Sequence, residues 1–242
     1  MPDAPKAGRA VPSPGMAQAP IREVIAFFDR AYPDPRCGLD FGSPFQLLVA
    51  TILSAQCSDR RVNLVTPGLF AAFPDPSAMA RADLADIEAL VRTCGLFRAK
   101  ARNIREMAGI LVKSHGGRVP ESLPELTALP GVGRKTANVV LGDAFGQPGL
   151  TVDTHLGRVS RRLGLSRAAR AEAVERDLMA LVPQGLWTRF SHQAISHGRS
   201  LCLARGPRCP DCGLLACPSR PSRGAVAAGG AAAGQNDLEA AS

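Results

Sequence analysis

Between Ile21 and Leu201 apolar residues recur every three or four positions, the spacing of one face of an α-helix. Ile21, Val24, Ile25 and Phe28 form the first stripe. Ser43-Pro44-Phe45-Gln46 joins an N-cap serine, a proline at the first helical position and a glutamine at the third, which is a capping-box start. The apolar run it opens reaches Ala55 and reads as a buried helix. Leu84, Ile87, Leu90 and Val91 predict another helix, ended by Gly95, and Ile104, Met107, Ile110 and Leu111 a further one, closed by Gly116-Gly117. A short helix over 124–128 precedes an apolar one through Ala137, Val139, Val140, Leu141 and Phe145. Leu156, Val159 and Leu163 form a stripe with Arg158, Arg161 and Arg162 on the other faces. Ala173, Leu178, Leu181 and Val182 suggest one more helix, and Trp187 to Leu201 a last one. No stretch alternates with the period of a strand, so the expected class is all-α.

A chain of 242 residues supports one or two domains with a sizeable core. Residues 1–20 and 218–242 are dominated by Ala, Gly, Pro and Ser and read as disordered tails. No apolar run reaches the roughly 18 residues of a membrane span, and the N-terminus lacks the apolar segment of a secretory signal. A cytoplasmic, reducing setting is expected, without disulfides. The net charge of +8 favours a polyanionic partner, with DNA and RNA first. Of the 29 basic residues only Lys6, Lys100, Lys113 and Lys135 are lysines. Where such an arginine-rich chain places a lysine in a special position, an amine is called for.

One lysine stands in such a position. In Leu129-Pro130-Gly131-Val132-Gly133-Arg134-Lys135-Thr136-Ala137, Pro130 ends one helix and two glycines allow a tight turn into the next. Backbone N–H groups at a helix start, unshielded by side chains, can grip a phosphate without reading sequence. Further along, Asp153 follows the apolar stretch Leu150 to Val152 and stands where a helix beginning at Thr154 needs an N-cap. Near the C-terminus Cys202, Cys209, Cys212 and Cys217 are crowded together, the pattern of a metal or cluster site. Spacing alone leaves zinc and an iron–sulfur cluster both open, with zinc slightly favoured. Cys37, Cys57 and Cys94 are isolated and read as ordinary thiols.

The nine-residue hairpin run resembles the helix–hairpin–helix of the endonuclease III family. Ser43-Pro44-Phe45, Leu53-Ser54-Ala55-Gln56, Gly95-Leu96-Phe97 with Lys100-Ala101, Val152-Asp153-Thr154-His155 and His197-Gly198-Arg199 match the same family pattern, over roughly residues 21 to 217. The resemblance implies two helical domains flanking a DNA-binding groove. One spans 36–147 and holds the helix–hairpin–helix over about 121–146; the other joins 21–35 to 148–217. It implies a bifunctional DNA glycosylase/AP lyase that removes oxidised pyrimidines from duplex DNA, binding a damaged base or abasic site as a cytoplasmic monomer.

In that reading Lys135 is the nucleophile, because attack on the sugar C1′ needs an amine that can lose its proton and arginine cannot. The helix N-terminus and Arg134 are expected to disfavour a charge on that amine. Asp153 faces it and stabilises the positive charge that builds on the sugar. Gly131, Val132, Gly133, Arg134, Thr136 and His155 fall at DNA-facing positions, and Gln56 and Leu96 fill the gap left by a flipped base. Ser54 and Asp59 are candidates for the pocket wall. The four cysteines hold a 4Fe–4S cluster, although the last interval is one residue shorter than the family's. Two alternatives stand beside this reading: an adenine-type glycosylase, which lacks the lysine, and a non-catalytic DNA-binding module with structural zinc.

Overall fold

A computed structural model describes residues 18–221. The expected tails therefore lie largely outside the described residues, and their inner edges differ from expectation. Ala19 is fully buried and its N–H donates to the Leu163 carbonyl. Ser219 donates to the Arg162 carbonyl, and Arg220 to that of Cys212.

Eleven α-helices occur among the described residues, with no strand. They are α1 Ile21–Ala31, α2 Pro44–Ser54, α3 Asp59–Ala72, α4 Pro76–Arg81, α5 Leu84–Val91, α6 Phe97–His115, α7 Leu123–Thr127, α8 Arg134–Val139, α9 Thr154–Arg162, α10 Ala171–Leu181 and α11 Trp187–Ser200. The start of α2 shows why the sequence folds there. Ser43 Oγ accepts from the Gln46 N–H, and Gln46 Oε1 accepts from the Gly42 N–H, one residue outside the usual capping box. Eight of the eleven residues of α2, Phe45 and Leu47 to Leu53, are buried, so this helix is the axis of its core.

Two hydrophobic clusters result. The first gathers α2 to α8 and runs from Leu39 to Leu141. The second joins α1 to residues beyond Leu150, through Phe27, Phe28, Leu156, Val159, Leu178 and Phe190. The chain crosses between them in the segment after α8. There the expected continuous helix is interrupted, because Val140–Ala144 form a π-turn. Such turns recur at functional sites, and this one carries Asp143, whose Oδ1 accepts from His192 Nε2 of α11 at 2.7 Å.

Candidate active site at the seam between the two cores

The hairpin is built by α7, the turn at 129–133 and α8. Only Gly131 is left-handed, with φ +76°; a Cβ there would also lie 3.0 Å from Asn103. Gly133 is extended and has nothing within 4 Å of where a Cβ would stand. It is the N-cap of α8 and offers no capping side chain. The first N–H groups of the helix thus face open space without intrahelical partners. Val132 is turned inward, 6% exposed in the first core, so only its main chain can meet DNA.

Lys135, in the first turn of α8, is exposed. Asp153 is half-buried and caps α9, its Oδ1 accepting from the Leu156 N–H at 2.8 Å. The two residues stand on elements of different cores, yet both line the same cavity of about 110 Å³, with Cys37, Thr51, Ser54, Asp59, His192 and Arg199. They also share a wider recess of about 490 Å³, walled by His155, Arg161 and Arg199. Asp59 is paired with Arg199 at 2.9 Å. Ser54 is turned back to the Thr51 carbonyl at 2.8 Å. His155 lies 3.2 Å from an Arg158 nitrogen, and Thr136 is half-buried on α8. His192 carries no local signal in the sequence; it reaches the cavity only because α11 returns along the seam.

Arg134 departs from expectation. Its guanidinium forks onto Glu175 of α10, Nε to Oε2 at 2.7 Å and Nη2 to Oε1 at 2.9 Å. The charge expected to act on Lys135 is therefore neutralised by a buried carboxylate, which in turn raises the Arg134 pKa.

Gln56 and Leu96 are the only non-glycine residues with positive φ among those described, at 53° and 59°. Leu96 is 63% exposed. Backbone strain of this kind costs about 1–3 kcal/mol and clusters where function needs it. The two loops are tied together underneath: Lys100 is buried and donates to the Leu53 carbonyl at 2.8 Å. Burial lowers the Lys100 pKa below the ordinary lysine value, opposed by Cys57 and Cys94.

Cys202, Cys209, Cys212 and Cys217 line one cavity of about 50 Å³ beside Leu163 and Leu214 of the second core. Arg162 organises its rim, donating to the carbonyls of Cys202, Leu203 and Ala204 and to Cys202 Sγ at 3.3 Å. Arg158 likewise donates to the carbonyls of Cys202 and Gly198. Of the arginines within the loop, Arg208 pairs with Asp211 and Arg205 is exposed.

Helices without a strand among the described residues, and a glycine-turned hairpin beside a lysine- and aspartate-lined cavity, define a helix–hairpin–helix protein of base-excision repair. Residues 49–184 match the HhH-GPD superfamily base excision DNA repair proteins. Endonuclease III of Synechocystis sp. is 51% identical, over 81% of this chain and 91% of its own length. Endonuclease III of Escherichia coli (strain K12) is 42% identical, over 81% and 93%. A solved structure of a trapped endonuclease III–DNA covalent intermediate superposes with a TM-score of 0.79 at 43% identity, covering 82% of this chain and 94% of that one. The chain belongs to the endonuclease III family.

Proposed function

We propose that this protein is a bifunctional DNA glycosylase/AP lyase of base-excision repair, acting on oxidised pyrimidines in duplex DNA, with Lys135 as nucleophile and Asp153 as its partner. The observation that carries this is the convergence of the only lysine of the hairpin and a fixed carboxylate on one cavity at the seam. Family membership supports the reaction class over a non-catalytic module, and the covalent endonuclease III–DNA intermediate supports a nucleophilic enzyme. No helix among the described residues is long and apolar enough to cross a membrane. We take the two hydrophobic clusters to be the two domains expected from the sequence, with DNA lying along the seam.

Gly133, Arg134 and the amides around them hold a phosphate, while Gln56 and Leu96 enter the duplex and occupy the space of the extruded nucleotide. The neutral amine of Lys135 attacks C1′, and the base leaves with the bonding electrons. Asp153 faces the positive charge that develops on the sugar. The amine nitrogen loses a proton, the C1′–O4′ bond opens with O4′ taking a proton, and a protonated Schiff base between Lys135 Nζ and C1′ results. Loss of a C2′ proton then breaks the 3′ C–O bond by β-elimination, and water releases the lysine.

The four cysteines line one cavity, and four thiolates, one to each iron, are the donor set of a 4Fe–4S cluster; membership of the endonuclease III family favours that group over zinc. Burial raises the Cys212 and Cys217 thiols, so cluster binding must release protons. When bound, the group closes the loop 202–217 on itself and stabilises the second core; no reaction step passes through it.

The test is strand cleavage and borohydride trapping on duplex DNA carrying thymine glycol or an abasic site. The wild-type chain is expected to cleave and to form a covalent adduct. Lys135→Gln is expected to form none, and an undiminished adduct in that variant assigns the nucleophile elsewhere.

A further inference from the structure

Glu175 lies in α10, only 4% exposed, and takes no part in the chemistry above. A carboxylate in such a place needs donors. Three arrive, all from α8: the two arms of Arg134, at 2.7 and 2.9 Å, and Asn138 Nδ2 at 3.1 Å. Arg134 and Asn138 are one helical turn apart and share a face. Lys135 stands about 100° round the helix from Arg134 and about 60° from Asn138, and it lines the cavity.

The Asn138 amide also donates to the Leu150 carbonyl at 2.9 Å. Leu150 begins the stretch that ends at Asp153. Contact between this stretch and α8 is close: a Cβ on Gly149 would lie 2.5 Å from the Asn138 carbonyl oxygen. Three pieces of chain therefore meet at one carboxylate and one amide. One carries Lys135, the next carries Asp153, and the third supplies Glu175. α8 has six residues and runs directly into the π-turn at Val140–Ala144.

We propose that Glu175 is a positioning residue for Schiff-base formation: by holding Arg134 and Asn138 it sets the rotation of α8 and aims the Lys135 amine at the cavity opposite Asp153. The inference rests on Lys135 being the nucleophile. It assigns Arg134 a second task, that of a clamp, beside any phosphate contact its main chain makes.

The test uses full-length protein with Glu175→Gln under single-turnover conditions, with enzyme in excess over abasic duplex and borohydride present. Affinity is measured separately on a duplex carrying a reduced abasic site, which cannot react. Misplacement by about 1 Å predicts a ten- to hundredfold slower adduct, with affinity held to within about twofold. An adduct formed at the wild-type rate, or a loss confined to affinity, overturns the proposal. If Glu175→Gln does not fold, the double variant Arg134→Leu/Glu175→Leu decides, since it leaves no buried charge unpaired. Wild-type melting with slow adduct formation supports positioning; stability and rate restored together show that the pair only holds the fold. A wild-type chain that forms no adduct at all refutes the proposed function itself rather than this refinement.

Discussion

The first core closes over 28 buried apolar residues, the second over 15. With about half the apolar mass, the second depends on polar ties between distant segments. Arg189 and Gln193 both donate to Asp29, joining α11 to α1. The Tyr32 hydroxyl meets His197 Nδ1 at 3.1 Å. Arg158 and Arg162 hold the cysteine loop by its carbonyls. In the first core such ties are fewer, the buried Lys100 to Leu53 bond being the clearest. The difference separates two tasks. A large apolar core is a rigid mount for the hairpin and the two strained loops, whereas the small one, which carries Asp153, is braced by its arginines.

The largest effects should come from opening the weaker core. Phe28 is fully buried and meets the rings of Phe27, Tyr32, Phe190 and His197 in tilted or edge-on contacts. Phe28→Ala is expected to cost about 3–5 kcal/mol, and cluster absorbance should bleach on heating before helical circular dichroism is lost. Leu48→Ala, in the first core, should instead lose both signals together. Simultaneous loss in both variants removes the distinction between the cores.

Next in size is Arg162→Met, which frees the Leu203 and Ala204 carbonyls and the Cys202 sulfur, and leaves the Cys202 carbonyl to Arg158 alone. A loss of about 2 kcal/mol is expected, with faster loss of cluster colour in air and the hairpin's DNA affinity retained. The hairpin gives a smaller and sharper contrast. Gly131→Ala forces a left-handed alanine against Asn103 and should destabilise by about 1–2 kcal/mol. Gly133→Ala meets no atom and should melt like wild type, but its methyl stands between the amides and a phosphate, so DNA affinity falls. Equal affinities for Gly133→Ala and wild type, by fluorescence anisotropy, remove phosphate binding from this turn.

Smallest is Asp29→Asn. The Gln193 and Arg189 bonds hold the Asp29 carboxyl below its ordinary value of 3.8. The unfolded chain therefore takes up this proton first, and the contribution is present above pH 3.8 and lost as pH falls through the lower folded value. On a half-exposed pair it is worth less than about 1 kcal/mol, so denaturation curves of variant and wild type should differ at neutral pH and merge in acid.

What could be read from the sequence follows the range of each interaction. The helices, the Ser43 cap, the Asp153 cap and the turn at Gly131 depend on residues within four positions of one another, and residue type decides them. The π-turn at Val140–Ala144 could not be read, because its apolar pattern is that of a helix and the interruption accompanies the Asp143–His192 contact across 49 positions. Nor could the inward turn of Val132 be seen within Gly-Val-Gly, where its neighbours face solvent. Arg134, Arg158 and Arg162 read as free cations, and the structure spends each on an acceptor 40 or more positions away. The cavity itself joins residues from α2, α3, α8, α9 and α11, and sequence pattern places single residues of it without showing that they meet.

The account stands on the amine of Lys135 reaching the sugar. Peptide mapping of the borohydride-trapped adduct tests this directly: mass spectrometry after proteolysis should find the reduced sugar on the peptide containing Lys135 and on that lysine alone. A label on Lys100, Lys113 or the terminal amine, with Lys135 unmodified, contradicts it.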